Sequence, residues 1–206
     1  MRIHTAALAA AILCLPLTAC SSDGADKPKV TANGRDTTDS PQAVSTKPMV
    51  LGKAAETIGS PNPVDGPGGG VLELGPTTVT YATKATGETP ENGVFAIVAY
   101  KARSTKAVAA AESAPIDGGG WEWTAPDGQA VDTLSGNSTN VTPSGYSSGG
   151  TVKPGTYQWR TQAFDITTAQ RGGILTYTDG DGTTWRWTMP AKDTGPELAK
   201  LKAALG

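Results

Sequence analysis

Val94-Phe95-Ala96-Ile97-Val98-Ala99-Tyr100-Lys101-Ala102 is the stretch that decides the fold. Lys101 is its only charged residue, and its bulk comes from β-branched and aromatic side chains. A run this short and this apolar reads as a strand buried on both sides. The loop Gly87-Glu88-Thr89-Pro90-Glu91-Asn92-Gly93 precedes it. On the other flank, Ser104 to Pro115 is Ala-rich and fits either a short helix or an extended crossing.

The same strand chemistry extends in both directions. Val71 to Leu74 and Thr77 to Tyr81 predict a first strand or pair, with Val79 and Tyr81 on one face. Trp121-Glu122-Trp123 follows a triple glycine and leads into the turn Pro126-Asp127-Gly128. Ala130 to Leu134 predicts another strand, and Ser135 to Gly150 a long loop. Lys153-Pro154-Gly155-Thr156 is a turn into Tyr157 to Ile166, a strand with Tyr157 and Trp159 on one face. Asp179-Gly180-Asp181-Gly182 joins Ile174 to Thr178 with Thr183 to Met189 as a hairpin, because Asp-Gly pairs supply the positive φ that tight turns need. In that last strand Trp185, Trp187 and Met189 share a face. Short strands with turns about every 8–12 residues predict an all-β antiparallel sandwich. Gly195-Pro196-Glu197 opens a short C-terminal helix or tail, with Pro at the first helical position and Leu198, Leu201 and Leu205 as its apolar stripe.

The N-terminal part has different chemistry. Ala6 to Leu15 is an apolar run of signal-peptide length, too short for a helix across a bilayer core of about 30 Å. Leu17-Thr18-Ala19-Cys20 follows directly and resembles the lipobox of bacterial lipoproteins. That resemblance implies cleavage between Ala19 and Cys20 and diacylglycerol modification of the Cys20 thiol. Two acyl chains anchor stably where one is marginal, at about 0.8 kcal/mol per buried methylene. An ordinary secretory signal is the alternative. From Ser21 to about Pro48 the chain is rich in Ser, Thr, Pro and Asp with almost no large apolar residue, a composition that predicts a disordered tether. Met49-Val50-Leu51 and Ile58 interrupt it, and Gly66-Pro67-Gly68-Gly69-Gly70 returns to linker chemistry. The expected organisation is a signal peptide over 1–19, a linker over 20–67, the sandwich over 68–191 and a tail over 192–206.

Composition narrows the chemistry. After cleavage, 16 basic residues face 19 acidic ones, which argues against nucleic acid as a partner. Cys14 falls in the removed segment, leaving Cys20 as the only cysteine and no disulfide framework. The single histidine is His4, also removed. A chain without histidine cannot run a Ser-His-Asp mechanism or build the usual His-containing zinc site. No catalytic residue, metal ligand or cofactor is expected.

Tether and β-domain together are similar to lipoproteins of high-GC Gram-positive bacteria that carry an immunoglobulin-like domain of unknown function. That domain is related to a small secreted mycobacterial antigen fold. The resemblance rests on Asn92-Gly93-Val94-Phe95-Ala96-Ile97-Val98, Ala125-Pro126-Asp127-Gly128 and Val152-Lys153-Pro154-Gly155-Thr156. It continues with Phe164-Asp165-Ile166 leading to Gly173-Ile174-Leu175-Thr176-Tyr177, and covers about residues 71–190. It implies an immunoglobulin-like antiparallel β-sandwich outside the cytoplasmic membrane, acting as a binding or scaffold domain, and transfers no catalytic residue.

Three functional readings follow. The first is a membrane-anchored, non-enzymatic display domain, tied to the membrane by Cys20 and facing an unknown protein or cell-wall carbohydrate. The second uses Trp121 with Trp123 and Trp185 with Trp187 as a ligand surface, since residues at i and i+2 of a strand point the same way. Core packing is the competing role for those indoles. The third is a carboxylate-dependent hydrolase drawing on Asp165, Asp179 or Asp181, which requires two carboxyl groups in one cleft. On adjacent strands, Glu122 and Arg186 would form a surface ion pair.

Overall fold

A computed structural model describes residues 47–61, 70–114 and 120–206. The signal segment, Cys20 and the tether through residue 46 lie outside the described residues, as do 62–69 and 115–119. The strands are β1 (Met49–Val50), β2 (Ala55–Pro61), β3 (Gly70–Ala82), β4 (Val94–Ser104), β5 (Ala110–Ala111), β6 (Gly120–Thr124), β7 (Ala130–Asp132), β8 (Tyr157–Ile166), β9 (Ile174–Thr178) and β10 (Thr184–Thr188). One helix, α1 (Leu198–Leu205), closes the chain. Five strands form a sheet in the order β5-β2-β3-β4-β8, and five form a second in the order β1-β10-β9-β6-β7. Apart from the parallel β1–β10 pair, every pairing of these strands is antiparallel. The two sheets pack face to face as the predicted β-sandwich.

β4 explains its own composition. Val94, Ala96, Val98, Tyr100 and Ala102 point into the core between the sheets. Phe95, Ile97 and Ala99 point the other way, into a second cluster with Val141, Tyr146, Leu201 and Leu205. Those partners come from the connection after β7 and from α1. Both faces of β4 are therefore dry, and each large side chain so buried contributes about 1.5–3 kcal/mol. The helix is too short to persist alone and is held by this outer cluster. Asp193 fixes its approach by accepting a hydrogen bond from Tyr81 N at 2.9 Å and pairing with Lys202 at 2.6 Å. The helix starts at Leu198 with Glu197 in the cap position, so Pro196 precedes it and does not occupy its first turn.

The expected boundary at residue 68 is corrected. Met49–Val50 pairs with β10, and Ala55–Pro61 pairs with β3, so the sandwich begins near residue 49. Ala55, Thr57 and Gly59 are buried while Glu56 and Ile58 are exposed, a period-two pattern built from small residues rather than bulky ones. Small size is required: a Cβ on Gly59 would lie 2.8 Å from the Ala110 Cβ. The expected first strand or pair is one strand, β3, with a register shift between Pro76 and Thr78. Pro76 falls beyond the last β2 pair, Ala55 with Leu74, where its missing N–H breaks no ladder bond to that neighbour. The segment after Ser104 is extended through β5, without a helix.

Candidate functional site

The four tryptophans expected at a ligand surface go mainly to the core. Trp123 and Trp187 are fully buried, Trp121 is 8% exposed, and Trp185 is half-buried against the same cluster. Each of the three most buried indoles finds an acceptor for its N–H. Trp123 Nε1 donates to Gln170 O at 3.1 Å, and Trp187 Nε1 to Lys53 O at 2.8 Å. Trp121 Nε1 donates to Glu112 Oε2 at 2.7 Å. The paired-Trp platform is therefore corrected: the pattern reports sandwich packing, and only the edge of Trp121 reaches a surface depression. Cys20 and Ala19 lie outside the described residues.

The carboxylates do not converge either. Asp165, at the Val94 end of β8, accepts from Glu91 N at 2.7 Å, Asn92 N at 2.9 Å and Asn137 N at 3.0 Å, so it staples two loops. Asp179 lies at the other end of the sandwich, where Ile58 N donates to its Oδ2 at 2.9 Å and Thr183 N to its Oδ1 at 3.0 Å. Asp181 is its neighbour in the β9–β10 turn, which is the predicted hairpin. Burial first, and the hydrogen bond to Asp181 second, push Asp179 up to about 6, while the same bond holds Asp181 below its ordinary value. Glu122 and Arg186 do not meet, because both pair with Thr176 from opposite sides of β9. Among the described residues, no three His, Cys, Asp or Glu side chains converge, and no helix is long and apolar enough to cross a membrane.

One polar centre was not expected. Arg160 is fully buried on the inner face of β8, opposite Tyr100 of β4. Its Nη1 pairs with Glu112 Oε1 at 2.7 Å. Its Nη2 donates to Gly150 O at 2.6 Å and to Gln158 Oε1 at 2.9 Å. Glu112 Oε1 also accepts from Tyr100 OH at 2.9 Å. The carboxylate is thus held by a guanidinium, a phenol and an indole at once. Burial, with the Glu112 charge second, pushes the Tyr100 phenol well above its ordinary value, so it remains a donor at neutral pH. The Trp121 ring lies between Tyr100 and Tyr177, with centroids 4.7 Å from each. Tyr177 in turn donates to Ser113 O at 2.7 Å and accepts from Ser113 N at 3.1 Å. These bonds clamp residues 112–113, which follow β5, against the β9 side of the core.

Above this centre is a cavity of about 270 Å³. Its wall includes Glu112, Trp121, Tyr177, Thr133 and Gln162. It exists because β7 pairs with β6 only over Glu122 to Thr124, leaving Trp121 without a β7 partner at the edge of the sheet. Gln162 shares the inward face of β8 with Arg160 and Phe164. Among the hydrogen bonds between described residues, none involves the Gln162 amide or the Thr133 hydroxyl. The cleft therefore combines an aromatic floor, a pre-positioned carboxylate and two unengaged neutral polar groups. No protein-family profile, curated protein or solved structure matches the chain.

Proposed function

We propose that the chain is a lipid-anchored extracytoplasmic protein that presents its β-sandwich as a non-enzymatic binding domain. The observation that carries the anchor is Leu17-Thr18-Ala19-Cys20, placed directly after the apolar run, with no other cysteine beyond it. Twenty-eight residues, Ser21 to Pro48, separate Cys20 from β1. A coil of that length spans about 30 Å, enough to hold a small domain clear of a bilayer surface. The binding role is supported by the Glu112 cleft: a depression whose polar groups are fixed before any ligand arrives loses little ordering entropy on binding.

The test is the N-terminus of the protein recovered from cell membranes. The proposal expects intact mass to show a chain beginning at Cys20 with a diacylglycerol adduct, and Cys20→Ser to release the protein from the membrane fraction. An unmodified Cys20, with wild type and Cys20→Ser distributed alike, would overturn the anchor.

A further inference from the structure

We infer that the Glu112 cleft takes a single neutral sugar-sized polyol ring; this rests on reading the sandwich as a binding domain and names the ligand class. Volume sets the size. About 270 Å³ corresponds to about nine waters at about 30 Å³ each, room for one hydroxylated ring and not for an extended chain. It falls below the range of about 300–1,000 Å³ typical of drug-sized ligands.

Charge sets the class. Glu112 is the only ionisable side chain of the wall that is charged at neutral pH, and Arg160 cancels it from below at 2.7 Å. An anionic ligand would face the carboxylate, because the guanidinium is fully buried behind it. A cationic ligand would gain little from a carboxylate already paired. A hydroxyl, in contrast, needs only a lone pair, and Glu112 Oε2 has one left after accepting from Trp121. The Gln162 amide offers both a donor and an acceptor, and the Thr133 hydroxyl can serve as either. The aromatic wall of Trp121 and Tyr177 suits the C–H face of a ring whose edges carry the hydroxyls. Polar groups on one side and aromatic carbon on the other match a pyranose better than a planar aromatic or an alkyl chain.

The experiment uses the whole mature chain from residue 20, with Cys20→Ser to keep it in solution, labelled with ¹⁵N. Glucose, galactose, mannose and N-acetylglucosamine are titrated, with choline as the cationic probe and glucuronate as the anionic one. The expected result is a saturable shift of the Trp121 indole N–H and the Gln162 amide with at least one neutral sugar. Gln162→Leu and Thr133→Val each weaken that binding by about 3- to 10-fold, the effect of losing one neutral hydrogen bond. Thr133→Val carries the test alone if Gln162→Leu fails to fold. If choline or glucuronate moves these resonances and no neutral sugar does, the ligand class is wrong while the binding site stands. If no probe moves them, both the class and the cleft as a binding site fall. Sugar binding with unchanged affinity in both variants places the sugar elsewhere and overturns the inference.

Discussion

Removing Glu112 should cost more than removing Arg160, although the two form one ion pair. Glu112→Ala leaves the Arg160 guanidinium fully buried without its anion. Breaking a buried pair this way costs about 3–5 kcal/mol. Tyr100 OH and Trp121 Nε1 lose their acceptor in the same step. Glu112 is 19% exposed at the cleft, so water can enter and satisfy those donors, which places the total near the lower end, about 3 kcal/mol. Arg160→Met keeps most of the buried stem and leaves Glu112 with its phenol and indole donors and access to water. That variant should cost about 1–2 kcal/mol. The double variant Glu112→Leu with Arg160→Met should be less destabilised than Glu112→Ala alone, giving a coupling of at least about 1 kcal/mol in the cycle. Urea unfolding followed by tryptophan emission measures all three. Equal costs for the single variants, or strict additivity, would refute the assignment of Glu112 as the group that makes a buried Arg160 tolerable.

Three further outcomes follow from other parts of the molecule. Asp179, raised from 3.8 to about 6 mainly by burial and then by Asp181, favours folding when protonated. Its contribution is therefore complete below about pH 4 and lost as pH rises through about 6; carboxyl ¹³C titration should place its midpoint near 6 and move it down in Asp181→Asn, and a wild-type midpoint at 4 would contradict this. Leu201 is fully buried in the outer cluster, so Leu201→Ala should cost about 2–4 kcal/mol and expose α1 to proteolysis; a cost below about 0.5 kcal/mol would show that the helix does not cover β4. Acrylamide should quench chiefly the half-buried Trp159 and Trp185, so that replacing both with Phe removes most quenchable emission; strong quenching that persists would mean Trp121, Trp123 or Trp187 is open to solvent.

Several elements were legible because one local rule governed each. β4 advertised burial on both faces, the Asp-Gly pairs advertised the β9–β10 hairpin, and Leu198, Leu201 and Leu205 advertised a helix stripe. β2 was missed because Ala55, Thr57 and Gly59 bury a small face, chosen for clearance beside Ala110, where hydrophobic pattern has little amplitude. The indole pairs were visible, but strand parity states only that two residues share a face; whether that face meets the other sheet depends on long-range pairing. A signal for the polar centre was present and passed unused. In β8, Gln158, Arg160 and Gln162 share parity with Phe164 and Ile166, so one inward face turns from polar to apolar along its length. A charge on a core face demands a partner. Naming Glu112 as that partner requires knowing that β5 crosses the end of the sheet and places residue 112 over Arg160, a contact 48 positions away in sequence.

The central claim is that the sandwich binds through the Glu112 cleft. The most direct measurement is co-sedimentation of the mature Cys20→Ser chain with the insoluble envelope fraction of its own cells, compared with the same chain carrying Thr133→Trp to fill the cleft. The account predicts that the open-cleft chain sediments with the envelope and is released by a competing neutral sugar, while the filled-cleft chain stays in the supernatant with its fold intact. Equal sedimentation of both chains, or of neither, would contradict it.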